Sequence, residues 1–158
     1  MEVNYLDTKR HGWLNAQHKR VSSATMILKN DHDEVLIVRA NYKNYWTFPG
    51  GIIDAGETPK EASIRETYEE VGIDVDSDAV SFVAVVNRRS SYAQTYQFVF
   101  SAPLTTSSLD HVVLQASEIE EYALVTMEQV MTDDRRYGKV IQDWARGNKA
   151  YIEQTLDT

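Results

Sequence analysis

Apolar positions fall into short runs of strand character around one strongly helical segment. Residues 21–28 suit a strand, and residues 34–38 suit its return, rich in β-branched side chains. Between them Asn30, Asp31, His32 and Asp33 supply turn chemistry. Residues 41–46 read as a polar and aromatic loop, and Phe48-Pro49-Gly50-Gly51 punctuates the chain. Thr58 and Pro59 then open a helix: Thr58 can cap it, Pro59 suits its first position, and Glu61 stands three residues after the cap. Ile64, Thr67, Tyr68 and Val71 follow at helical spacing and predict one inward stripe. Gly72 is placed to end this helix as a glycine C-cap.

Residues 80–86, 92–101 and 121–126 predict further strands, with a loop over 103–110. Asp133 or Asp134 can cap a last helix over about 134–154, with Val140, Ile141, Trp144 and Tyr151 on its apolar side. The first 20 residues are polar with scattered aromatics and resist assignment. Strands interrupted by one central helix, with a second at the end, predict an α/β or α+β sandwich.

A chain of 158 residues has the size of one ordinary domain, taken as 1–158, and its 42% hydrophobic content supports a buried core. No apolar run approaches the roughly 20 residues of a membrane-spanning helix, and the polar N-terminus lacks the stretch of a secretory signal. The absence of cysteine excludes disulfides and thiolate chemistry and fits the cytoplasm. A net charge of −8 disfavours stable binding to a nucleic-acid backbone. A small phosphate-bearing ligand remains open, since a bound cation can reverse the local sign. The four histidines are scattered and show no metal-ligand spacing.

The chemistry concentrates on the central helix. Glu66, Glu69 and Glu70 lie at i, i+3 and i+4, within an arc of roughly 100°. Carboxylates so close repel one another, by a few tenths of a kcal/mol per pair on an exposed helix. A solvated acidic face is the ordinary meaning of such a cluster. A hard divalent cation, which prefers carboxylate oxygen, is the functional one. The flanking residues decide between them. Gly51 precedes Glu66 by fifteen positions, Glu57 by nine and Arg65 by one, and Gly72 and Ile73 close the segment. The stretch GIIDAGETPKEASIRETYEEVGI, residues 51–73, resembles the Nudix box, G-x5-E-x7-R-E-U-x-E-E-x-G-U, with U a bulky aliphatic residue. Thr67 is the one departure, standing where an aliphatic residue is usual.

The resemblance to the Nudix (MutT-like) hydrolases implies an α/β/α sandwich around a central mixed β-sheet, with the box as a loop–helix–loop. It implies Mg²⁺ or Mn²⁺ held by Glu66, Glu69 and Glu70, with the Gly51 carbonyl. It implies that Glu57 and Arg65 pair to brace the loop, a role a two-pronged Arg–carboxylate contact can fill. The activity implied is hydrolysis of a diphosphate linkage in a nucleoside diphosphate joined to another moiety, a modified nucleoside triphosphate being the default. The base implied by the resemblance is a box glutamate, Glu70 or Glu69 in preference to Glu66, or a residue of the acidic loop 115–121. In that loop Glu118 is the leading extra ligand or base and Glu121 the second, with Leu124 where the family commonly has tryptophan.

Substrate recognition is less determined. Arg39 is placed to face phosphates, Tyr42, Tyr45 and Trp46 to stack on a base, and Arg88, Arg89 and Tyr92 to contact substrate from a turn. Each has a plain structural alternative, packing for Trp46 and a solvated surface for the others. Trp13 reads as core or as a dimer contact, and exposed aromatics would permit a homodimer. A different class of protein, a non-catalytic Nudix-like domain that senses a nucleotide, also fits the box. The intact glutamates argue against it, because a pure binder has no need of a repelling acidic cluster. A calcium loop is a third reading, and the spacing lacks its loop-borne carboxylates.

Overall fold

Long aliphatic runs that can be buried on both sides belong at the centre of a sheet. The computed structural model, which describes residues 5–147 and 149–156, places them there. β1 (Ser22–Lys29) and β2 (Val35–Ala40) are nearly continuous in buried residues. The remaining strands are β3 (Gly50–Ile52), β4 (Ser81–Arg89), β5 (Gln94–Pro103), β6 (Ile119–Val125) and β7 (Tyr151–Thr155). Their order in one mixed sheet is β6-β2-β1-β5-β4-β7, with β3 added on β1. β1 runs parallel to β5, and β4 parallel to β7, while β1–β2, β2–β6 and β4–β5 are antiparallel.

β1 and β2 stay paired only near their turn, where Lys29 faces Val35. The segment after the aromatic loop enters between them. Thr47 exchanges two backbone hydrogen bonds of 2.8 Å with Val38, Pro49 O accepts from Met26 N at 2.9 Å, and β3 then pairs with Ser23–Thr25. Gly50 is required there, since a Cβ would stand 2.3 Å from the Ala24 carbonyl oxygen.

Two apolar layers cover the sheet. On one face Ala62 and Val71 of the central helix α2 (Pro59–Val71) pack on Met26, Leu28, Leu36 and Val38. On the other, Val130 of α4 (Met127–Thr132) and Ile141 and Trp144 of α5 (Lys139–Ala145) pack on Ile27, Ile37, Ala84 and Val86. The helix–sheet–helix sandwich expected from the sequence is the observed architecture. α1 (Tyr5–Asn15) and the short α3 (Thr106–Leu109) are additions that the apolar pattern does not predict. Trp13 lies on α1, exposed and outside the core.

The central helix starts and stops as its sequence dictates. Thr58 and Glu61 form a reciprocal capping box, and Gly72 caps the C-terminus at φ 72°. Its inward stripe differs from the expected one. Tyr68 is 60% exposed, while Ala62, Ser63, Thr67, Glu70 and Val71 are buried. Small side chains let the helix lie close to β1. Thr67 fits this tight face because its hydroxyl donates to the Ser63 carbonyl at 2.7 Å.

The last helix is a correction. In place of one helix over about 134–154, a 3₁₀ turn (Asp134–Arg136), α5 and β7 follow one another. Gly138 starts α5, with its N–H donating to Trp46 O at 2.7 Å, and Gly147 at φ 96° lies just past its end. The chain then turns back as β7, which pairs along β4 from Val85–Tyr151 to Arg89–Thr155 and covers an edge that would otherwise be open.

Candidate active site

The loop before α2 is held by one side chain. Arg65 Nε donates to Glu57 Oε1 at 2.8 Å, and Nη2 to Glu57 Oε2 at 3.0 Å and to the Ile52 carbonyl at 3.0 Å. The same guanidinium turns its other edge to the acidic cluster, with Nη1 donating to Glu66 Oε1 at 2.8 Å and Glu69 Oε2 at 3.1 Å. Asp54 N donates to Glu57 Oε2 at 3.0 Å, closing the loop on itself. These contacts raise the Arg65 pKa further and hold the Glu57 carboxyl below its ordinary value.

Gly51 and Glu66 are in direct apposition. A Cβ on residue 51 would fall 2.4–2.6 Å from the Glu66 carboxylate, so only glycine admits that carboxylate. Glu70 lies one turn further along α2, 7% exposed, with Oε2 accepting from Gly50 N at 2.9 Å. Burial lifts its carboxyl to about 7, the Glu66 and Glu118 charges adding to the effect and the Gly50 N–H and Lys43 opposing it. Burial also raises Glu66, against the pull of Arg65. Glu69 is the most open of the three.

The loop 112–118 is latched onto the end of α2. Val113 N donates to Val71 O at 3.0 Å and Gln115 N to Glu70 O at 3.1 Å, satisfying carbonyls that a helix end leaves free. Asn41 holds the far side of the loop through the Glu118 and Ser117 carbonyls. The Glu118 charge therefore acts on Glu66, Glu70 and Tyr42. Glu121, the second choice, is instead ion-paired with Arg39.

Among the described residues no three His, Asp or Glu side chains converge as a ready chelate, because Arg65 and Gly50 N each hold part of the cluster. The donors still suit a hard cation. Glu66, Glu69 and Glu70 each keep one carboxylate oxygen that accepts no hydrogen bond among the described residues.

A cavity of about 680 Å³ opens beside Gly50 and Gly51 on the α5 side of the sheet. Tyr42 and Tyr45 line it. Trp46 does not: it packs toward the α5 core, with the Arg39 guanidinium 5.9 Å over its ring. Arg39 is drawn away from the cavity by Glu120 at 3.3 Å and by Glu121, so no phosphate contact is prepared for it. Arg89 and Tyr92 also lie elsewhere. Val86 packs on the α5 side, and strand alternation puts Arg88 there and Arg89 on the opposite face. Tyr92 is 84% exposed in the β4–β5 turn. Lys43, Gln97, Arg135 and Lys139 line the cavity and were not singled out from sequence. Gly138, a helix breaker inside the supposed last helix, was the signal that could have found the wall over 135–140.

The mixed sheet between two helical layers and the loop–helix–loop with its acidic cluster together define a class of domain. The family model described as NUDIX domain matches residues 19–144, and the chain belongs to that family. Over 59 residues it is 44% identical to the 8-oxo-dGTP diphosphatase of Escherichia coli (strain K12), a match covering 35% of this chain and 46% of that protein. Over 48 residues it is 46% identical to the RNA pyrophosphohydrolase of Photobacterium profundum, covering 30% of this chain and 28% of that one. The matches thus span about half or less of these relatives' lengths. Among solved structures, the MutT protein from Methanosarcina mazei Go1 superposes with a TM-score of 0.67 at 23% identity, covering 83% of this chain and 94% of that one. The NUDIX domain of Shewanella oneidensis NrtR, complexed with ADP ribose, superposes with a TM-score of 0.65 at 15% identity over 82% of this chain and 88% of that one.

Proposed function

We propose that the chain is a metal-dependent pyrophosphohydrolase that cleaves a diphosphate linkage in a nucleoside diphosphate joined to another moiety, nucleoside triphosphates included. The observation that carries this reading is the apposition of the Glu66 carboxylate and Gly51, beside buried Glu70, where Gly50 and Gly51 also line a cavity sized for a nucleotide. Glu66, Glu69 and Glu70, with the Gly51 carbonyl, would hold Mg²⁺ or Mn²⁺. When bound, such an ion neutralises phosphate charge and lowers the pKa of a coordinated water.

The chain's own residues supply the rest. Glu57 and Arg65 fix the loop against the helix, so that Gly50 and Gly51 present their backbone at a constant position. Glu118, whose charge reaches the cluster from the facing loop, and Glu70 are the groups that can take the proton of the attacking water. Lys43, whose charge is felt at Glu70, offsets phosphate charge at the same end. Tyr42 and Tyr45 give the nucleotide apolar surface.

The test is phosphate and pyrophosphate release from a nucleotide panel with Mg²⁺ or Mn²⁺. Turnover is expected and EDTA should abolish it; turnover that survives EDTA contradicts the mechanism. Glu70→Gln should lower kcat about 100-fold or more with the fold retained. Tight binding of a panel member without turnover would favour the sensor reading.

A further inference from the structure

The cavity's charge is opposite to that of the protein. The chain carries a net −8, yet four cationic side chains, Lys43, Arg88, Arg135 and Lys139, line the cavity, and among the described residues no Asp or Glu does. Two of the four are already neutralised, Lys139 by Asp143 at 2.6 Å and Arg135 by Asp133 at 3.4 Å. Lys43 stands at the glutamate end. Arg88 stands at the other end. Between the backbones of β3 and β4 lie three strand spacings, roughly 14 Å, and the Arg88 side chain reaches back from β4 to Gln97 of β5.

Arg88 is partly buried and makes no ion pair among the described residues. Its Nε donates to Gln154 Oε1 at 2.8 Å, and its Nη2 to Gln97 Oε1. Both contacts are amides. They aim the guanidinium without neutralising it, and three of its five N–H bonds are left over. Asp143, whose charge reaches Arg88, is itself bonded to Lys139 and to Gln154 Nε2 at 2.7 Å. Withdrawing a charge from water without an ion pair is costly, and an arginine cannot shed its proton to escape that cost. Gln154 also comes from β7, outside the segment matched to the family, so part of this arrangement belongs to the chain's own C-terminal strand.

We propose that Arg88 is a specificity-determining residue that binds a second anionic group, a phosphate or a carboxylate, on the part of the substrate remote from the cleaved diphosphate. The inference rests on the pyrophosphohydrolase reading for the location of the cleaved linkage. The substrate class narrows accordingly, to diphosphates whose far moiety is itself charged. A planar fork with free donors on its outer edge suits either oxyanion.

Matched pairs of ligands test this by calorimetry, without need of turnover. For phosphate the pair is adenosine 3′,5′-bisphosphate against AMP; for carboxylate it is UDP-glucuronate against UDP-glucose. In at least one pair the anionic member should bind about tenfold or more tightly, and the identity of that pair names the anion. Arg88→Gln should remove the difference while leaving the neutral member's affinity within about twofold, and Arg88→Lys should restore part of it. A merely structural Arg88 would instead lower Tm and weaken both members alike. If Arg88→Gln does not fold, the wild-type pairs and Arg88→Lys decide. No preference for the anionic member in either pair, including no measurable binding at millimolar ligand, overturns the proposal, as does a preference that survives Arg88→Gln. Failure of all hydrolysis with the binding preference intact would sink the catalytic reading alone.

Discussion

Glu70 is where burial and charge conflict most sharply. It is buried and meets one backbone donor, and the carboxylates of Glu66 and Glu118 face it. Its carboxyl is lifted from the ordinary 4.5 to about 7. A raised carboxyl favours the folded state while protonated. That contribution is complete below about pH 4.5 and is lost as pH rises through 7. In EDTA, the stability of the wild type relative to Glu70→Gln should therefore fall by on the order of 3 kcal/mol between pH 4.5 and 8. Urea unfolding at those two pH values measures it, and parallel pH profiles for the two proteins would contradict the burial argument. A bound divalent cation should reverse the trend, because it favours the charged form. Gly51 makes a companion case. Gly51→Ala should push the Glu66 carboxylate aside, and the expected result is a loss of kcat/KM larger than any loss of Tm.

Elements with strong end signals were legible from sequence, and elements held by tertiary contact were not. The central helix was readable because both caps are local chemistry. Thr58→Ala should cost about 1 kcal/mol of stability by removing the side-chain acceptor for Glu61 N, with kcat unchanged. A Tm that does not move would mean that the helix start is fixed by packing alone. The inward stripe was misread at Tyr68, since spacing places residues on a face without saying how close the face must approach. Small Ala62 and Ser63 seat the helix, and the large ring is left outside. β7 was hidden because its residues sit within an apolar pattern that also suits a helix; what makes them a strand is the unpaired edge of β4, which no local pattern shows. The glutamate cluster and the Glu57–Arg65 brace were readable because their spacing is fixed within one segment. Arg88 was blurred with Arg89 because the strand was expected to end before both, and only the observed extent of β4 sends them to opposite faces.

At the scale of the whole molecule the sheet separates two tasks. The α2 face carries the acidic cluster, and the α5 face carries the cavity, with Thr47–Ile52 joining them between β1 and β2. Phe48 is the link, since it packs in the α5 core while its neighbours Pro49 and Gly50 enter the site. Trp144 meets Phe48 edge-on, with ring centroids 5.9 Å apart at 88°. Trp144→Ala should cost roughly 3–5 kcal/mol through the void it leaves. If the two faces are coupled through Phe48, the same variant should also raise KM at a temperature where it remains folded, because the cavity wall and the Gly50 backbone lose their support together. Ile141→Val, which trims one methyl group from the same helix face and leaves the ring pair in place, should cost roughly 0.5–1.5 kcal/mol and leave KM alone. The comparison isolates the coupling from general loss of stability. Equal effects of the two substitutions on KM, scaled to their losses of stability, would show that the α5 face is scaffold only, and that the site is positioned entirely by α2 and the Arg65 brace.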